Sequence, residues 1–185
     1  MEQSFRNKGE AFLDKQQLRK QTKEIRSKLD MKSLSKELTL KLKQTIEYQN
    51  AHNIMIFYPL EKEVNLLSLL DDNTKNFYLP KIDGNELLCC RFDKKTELCD
   101  SCFKTKEPLS DSDNKSILDL IIVPALAADK NNYRLGYGKG FYDRFLNSFK
   151  DICPCTIVCI PKELIVETIF PDEFDIPVNK VIITD

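Results

Sequence analysis

The run at residues 117–123, nearly all leucine, isoleucine and valine and stopped by Pro124, constrains this chain most. A strand so apolar has no face suited to water, and strands buried on both sides belong to sheets covered by helices. Residues 54–58 (Ile-Met-Ile-Phe-Tyr), stopped by Pro59, read the same way, as do residues 156–160 and 180–184. Between these runs the period changes. Leu18, Ile25 and Leu29, then Leu34, Leu38, Leu42 and Ile46, return at helical spacing, and Phe141, Phe145, Leu146 and Phe149 give a later helix its inner face. Asp14 followed by Gln17 is a capping-box start for the first helix. Residues 66–70 and the surroundings of Glu163 read as short helices. Residues 77–79, 87–92 and 98–103 read as further strands, with Asp83-Gly84-Asn85 turning between the first two and a polar loop over 104–115. Strands alternating with helices predict an α/β sheet covered on both faces. No linker, repeat or low-complexity tract divides residues 1–185, which read as one domain.

Composition excludes several classes. The 185 residues hold 28 Lys plus Arg against 29 Asp plus Glu, and a chain of this length buries about 70% of its unfolded surface, so it needs no staple. The apolar runs are far short of a membrane span, the first residues lack a secretory pattern, and seven cysteines suit a reducing compartment. The expectation is a cytoplasmic protein with no membrane partner. Charge is uneven: residues 1–50 carry 12 basic and 7 acidic side chains, so an anionic ligand could meet this part. The bases are interleaved with acids and few aromatics, which favours a solvated helical face over a nucleic-acid patch, and no nucleic-acid partner is expected. Cys99-x-x-Cys102 and Cys153-x-Cys155 have the wrong spacing for zinc, while Cys89 and Cys159 read as small buried hydrophobes. The sole histidine, His52, precedes a strand and has no legible nucleophile beside it.

The chemistry concentrates at Gly136, Gly138 and Gly140, three of only five glycines. Glycine is chosen where φ is positive or where something approaches the main chain closely, and this cluster lies between a buried strand and a helix. Amides at that helix start could cradle a phosphate, with Arg134 and Lys139 adding charge and Asp143 placed for an accompanying metal ion. The spacing Gly-x-Gly-x-Gly matches neither a Walker loop nor a dinucleotide fingerprint, and a tight connection without a ligand is the competing reading.

Ile-Ile-Val-Pro-Ala-Leu-Ala-Ala-Asp at 121–129, with Arg-Leu-Gly-Tyr-Gly-Lys-Gly-Phe-Tyr-Asp-Arg-Phe-Leu at 134–146, resembles the signature of the 5-formyltetrahydrofolate cyclo-ligase family, also called methenyltetrahydrofolate synthetases. The resemblance extends to Lys15 and Arg19, Glu63, Pro80-Lys81, Glu107-Pro108 and residues 175–178. It implies a single three-layer α/β domain with a mostly parallel sheet. It also implies an enzyme that uses ATP and magnesium to convert 5-formyltetrahydrofolate into 5,10-methenyltetrahydrofolate, with release of ADP and phosphate, acting as a monomer.

By the same resemblance, ATP would be held by Lys15, Arg19, Arg134, Gly136, Gly138, Gly140, Phe141 and Tyr142, and magnesium by Asp143 and Asp175. The folate would meet Glu63, Tyr137, Gly138, Lys139, Gly140 and Phe141, with Glu63 accepting from the N–H edge of the pterin. Arg134, Lys139 and Tyr142 would carry the chemistry, which needs positioned charge more than a nucleophile. Taken by themselves, Lys15, Arg19 and Glu63 read as solvated charges and Phe141 and Tyr142 as core. Ala125, Ala128, Phe174 and Asn179 depart from the family's usual glycine, aromatic, histidine and metal-block residues. Two further readings stay open: a module that binds folate or nucleotide without turnover, favoured by Ala125 and Ala128, and a nucleic-acid binder using the basic N-terminal part.

Overall fold

The computed structural model describes residues 14–101, 105–149 and 153–185. Three helices open it: α1 (Lys15–Ser27), α2 (Met31–Lys43) and α3 (Ile46–Asn50). Each starts on a side chain suited to it. Asp14 accepts from Gln17 N while Gln17 reaches back to Asp14 N, completing the expected capping box, and Asp30 and Thr45 cap α2 and α3. The strands follow as β1 (Asn53–Met55), β2 (Asn76–Asp83), β3 (Glu86–Phe92), β4 (Leu98–Asp100), β5 (Lys106–Pro108) and β6 (Leu120–Ile122). After them come β7 (Ala127–Asp129), β8 (Arg134–Leu135), helix α4 (Phe141–Asn147), β9 (Cys155–Ile160), β10 (Ile165–Val166) and β11 (Lys180–Ile183).

Six strands form the central sheet in the order β11-β9-β6-β1-β2-β3, all parallel except the edge strand β3. The β2–β3 turn falls on Gly84 and Asn85, and Gly84 has φ 58°, which glycine adopts without steric cost. Alternation along the strands splits the core in two. Ile54, Leu120, Ile122, Ile157 and Cys159 pack on the side of Leu38 and Leu42 of α2. Met55, Ile121, Val123, Val158 and Ile160 pack with Phe145 and Leu146 of α4. Each such side chain contributes about 1.5–3 kcal/mol of burial, and the result is helix, sheet and helix in three layers, as expected.

Helix α1 belongs to neither layer. Its Leu18 packs with Leu126, Ala127, Leu135 and Ile169, around a small sheet of order β10-β7-β8. This sheet corrects the sequence reading, in which the buried strand ran straight into the glycine loop. Asp129 builds the β7–β8 turn: its Oδ1 accepts from Asn131 N and Tyr133 N, its Oδ2 accepts from Ile169 N, and Asn132 takes φ 64°. Ala128, where the family usually has an aromatic, is fully buried and pairs with Arg134 of β8 and Ile165 of β10.

Other boundaries also differ: the strand expected over 54–58 is the shorter β1. The strand expected over 117–123 is β6 alone, because Asp119 is drawn off to accept from His52 N and Asn53 N at 2.8 Å each. The polar loop expected over 104–115 contains β5, which pairs with β4. Residues 102–104, including Cys102 and the end of the strand expected over 98–103, lie outside the described residues. No helix among the described residues is long and apolar enough to cross a membrane.

Candidate active site

Beyond the C-terminal ends of β1 and β6, where open α/β sheets receive ligands, lies a cavity of about 760 Å³. Phe57, Tyr58, Pro124 and Ile82 give it apolar wall. All thirteen residues singled out from the sequence line it. Lys15 and Arg19 come from α1, Glu63 from the segment after β1, and Arg134 from β8. Gly136, Tyr137, Gly138, Lys139 and Gly140 form a loop leading into Phe141, Tyr142 and Asp143 of α4, and Asp175 closes the opposite side.

The cationic wall is made by side chains. Helix α4 has seven residues and begins at Gly140 with no side-chain cap, so its dipole is short and the expected anion seat at its start is modest. Lys15 Nζ binds Asp175 and, at 2.6 Å, Asp172. Burial lowers the pKa of Lys15, but its bonds to Asp172 and Asp175 outweigh this and leave it raised, so the amine stays charged. Arg19 Nε donates to Gly136 O at 2.8 Å, and its guanidinium lies along Gly138, where a Cβ would come within 3.2 Å of Cζ. Gly138 also has φ 94°, so a side chain is excluded there on two counts. Arg134 is only 4% exposed at its side chain; it donates to Ile176 O at 2.8 Å and to Asp143 Oδ1 at 2.9 Å. It therefore ties β8 to α4 and to residue 176. Lys139 is exposed and makes no ion pair among the described residues.

Phe141 and Tyr142 are half-buried and serve both readings given to them, since they border the cavity and pack against the α4-side core. The Tyr142 hydroxyl is buried without a hydrogen-bond partner, alone in this respect among the described residues. Such a group costs about 1–3 kcal/mol unless a ligand satisfies it. Burial, and next the charge of Glu63, raise its pKa, so it is a neutral donor.

Glu63 is no solvated turn residue. Its side chain is 5% exposed; Oε2 accepts from Leu60 N at 2.8 Å and Oε1 accepts from Tyr137 Oη. The Tyr137 oxygen in turn accepts from Arg26 Nη2 at 2.8 Å, and Arg26 Nη1 stands 3.8 Å from Glu63 Oε1. Burial, followed by the Glu63 charge, raises the Tyr137 pKa against the opposing pull of Arg26.

Sequence reasoning missed Arg26, Arg144 and Asp172. Arg26 stands seven residues after Arg19 and eleven after Lys15, a helical repeat that marks the shared face. Arg144 donates to Lys139 O at 3.0 Å and to Asn85 O, and stacks on Phe141, pinning the glycine loop to the β2–β3 turn. Asp172 is tied to Lys15 across 157 residues of sequence, and no local pattern announces such a pair. Asn179, expected near a metal block, instead accepts from Thr156 N and Oγ1 and holds the last strand in place. Among the described residues no cluster of three or more His, Cys, Asp or Glu is set to hold a metal by itself.

Comparison with known proteins agrees with this geometry. The model of the 5-formyltetrahydrofolate cyclo-ligase family matches residues 11–184. The 5-formyltetrahydrofolate cyclo-ligase of Haemophilus influenzae is 27% identical over 183 residues, covering 91% of this chain and 97% of its own. That of Mus musculus is 29% identical, covering 80% and 81%. The solved structure of 5,10-methenyltetrahydrofolate synthetase from Aquifex aeolicus is 30% identical and covers 91% of this chain and 89% of its own, with a TM-score of 0.79. The Mycoplasma pneumoniae synthetase, 22% identical with a TM-score of 0.72 and covering 92% and 98%, shares the fold.

Proposed function

Because the chain belongs to the 5-formyltetrahydrofolate cyclo-ligase family, we propose that its cavity brings together ATP and 5-formyltetrahydrofolate and yields 5,10-methenyltetrahydrofolate, ADP and phosphate. The observation that carries this reading is convergence: residues matching the family's motifs, spread from Lys15 to Asp175, line one cavity. In the balanced reaction the formyl oxygen takes the γ-phosphoryl group and ADP departs. N10 then attacks the formyl carbon, and its proton is lost as the carbon–oxygen bond breaks and phosphate leaves.

The chain's part is to bind, orient and neutralise. Arg19 and Lys139 offer uncommitted positive charge to the phosphates, and Lys15 does so in exchange for Asp172 or Asp175. Arg134 holds Asp143 and residue 176 in place at the phosphate end. Glu63, facing the cavity with its carboxylate fixed by Leu60 N and Tyr137, accepts from the pterin. Tyr142, which feels the charges of Glu63 and Arg134, donates its unpartnered hydroxyl where the two ligands meet.

Magnesium fits the residues present. Both hydrogen bonds to Asp143 fall on Oδ1, leaving Oδ2 for a hard cation that takes one or two carboxylates and draws its other ligands from phosphates and water. Asp175, whose Oδ2 accepts from Lys15 and Asp172 N, is the second candidate. When bound, magnesium supplies positive charge to the phosphate oxygens during transfer.

The test is the near-ultraviolet absorbance of the methenyl product after mixing pure protein with 5-formyltetrahydrofolate, ATP and magnesium, each omitted in turn. A rise that needs every component supports the reading; a flat trace from folded protein refutes it.

A further inference from the structure

We propose that Arg26 is a positioning residue for folate recognition: through Tyr137 it fixes the Glu63 carboxylate in the rotation that accepts the N–H edge of the pterin. The proposal rests on the reading of Glu63 as the pterin's partner. Arg26 does not line the cavity. It lies behind the wall that the ligand meets, with its side chain 8% exposed.

The lone pairs of Glu63 set what it can accept. An ionised carboxylate accepts at about four positions. Leu60 N occupies one on Oε2 and Tyr137 Oη one on Oε1, which leaves one on each oxygen, the pattern that two neighbouring N–H donors require. Rotation of the carboxylate would destroy that pattern, and the Tyr137 hydroxyl opposes it.

Tyr137 must itself be held for this to work. It stands between Gly136 and Gly138, where the backbone restrains it least. Its restraint comes from α1: Arg26 Nη2 donates to its oxygen at 2.8 Å, and Arg26 Cζ and Lys23 Nζ lie 5.9 Å and 5.6 Å from its ring centroid. Because the phenol oxygen accepts from Arg26, its own proton points to Glu63. The same guanidinium supplies the buried carboxylate with a counter-charge, without which burial would be costly. One helix thus carries Lys15 and Arg19 for the phosphates and Arg26 for the Glu63 carboxylate that takes the pterin, which sets the two ligands in register.

The test measures KM for each substrate at saturating levels of the other, in Arg26→Met, Tyr137→Phe, the double variant and Glu63→Gln. Arg26→Met is expected to raise the folate KM about tenfold, equivalent to about 1.4 kcal/mol, and to leave the ATP KM within about twofold. Tyr137→Phe, which deletes only a hydroxyl and keeps the assay informative if Arg26→Met fails to fold, should do the same. The double variant should be no more than about twofold worse than the worse single, because both break one relay. Additive effects, an equal rise in the ATP KM, or an unchanged folate KM in Tyr137→Phe would overturn the role of Arg26. An unchanged folate KM in Glu63→Gln would overturn the pterin reading beneath it, and that result is separable from normal Arg26 variants beside an impaired Glu63→Gln.

Discussion

Replacing Gly138 by alanine separates backbone strain from crowding at the phosphate wall. At φ 94° an L-residue loses about 1–2 kcal/mol relative to glycine. The new Cβ would lie 3.2 Å from Arg19 Cζ and 3.3 Å from Nη2, so the guanidinium must retreat by a few tenths of an ångström. That strains its bond to Gly136 O, a term of about 1 kcal/mol. Reduced freedom in the unfolded chain returns about 0.4–1 kcal/mol. The net loss is about 1–2.6 kcal/mol, or about 2–10 °C in Tm for a chain of this size. Gly136→Ala is the control: nothing lies within 4 Å of its added Cβ and its φ is not left-handed, so it should be neutral or stabilising by up to about 1 kcal/mol. Urea unfolding with an unchanged m-value measures both, and in an Arg19→Ala background the Gly138→Ala penalty should shrink by about 1 kcal/mol. Equal effects of the two glycine variants, or a Gly138 penalty indifferent to Arg19, would refute the reasoning.

Tyr142→Phe removes a buried hydroxyl that lacks a partner, so stability should hold or rise by up to about 1 kcal/mol while turnover falls at least about tenfold; a melting curve and a rate assay on one preparation check both. Asp143→Asn keeps the side chain's shape but removes its charge, and should raise the magnesium concentration for half-maximal rate about tenfold, measured by titration at fixed ATP. Burial pushes the Cys159 thiol up to about 12 from an ordinary value near 9.0. The proton is held more tightly in the folded state, so this contribution to stability is full below about pH 9 and is lost as pH rises towards 12; unfolding midpoints across that window should fall. A chromogenic thiol reagent at about pH 8 should accordingly titrate exposed Cys153 and spare Cys159 until the chain unfolds.

The core strands were legible because burial on two faces leaves unbroken apolar runs, as at Ile54, Met55 and Ile56, whose alternate members serve opposite layers. The glycine loop was legible because φ constraints restrict residue choice locally. The β7–β8 hairpin was not: Ala127 and Ala128 carry little strand preference, and Asp129 to Asn132 signals only a turn. Lys15 and Arg19 read as solvated charges when taken alone, since nothing near them in sequence reveals the partners Asp172, Asp175 and Gly136. Arg26 hid for the same reason, its partner Tyr137 lying 111 residues away.

The clasp between Lys15 and Asp175 spans 160 residues, and this bears on when the protein becomes active during its own synthesis. At about 5–20 residues per second the ribosome needs about 8–32 s to travel from one partner to the other. Throughout that interval α1 can form, because its cap is local, and Arg26 can meet Glu63 early, yet Lys15 lacks Asp172 and Asp175. The sheet also stays incomplete, since β11 is made after Asp175. The cavity wall that Asp172 to Ile176 supply is therefore among the last parts of the fold to close.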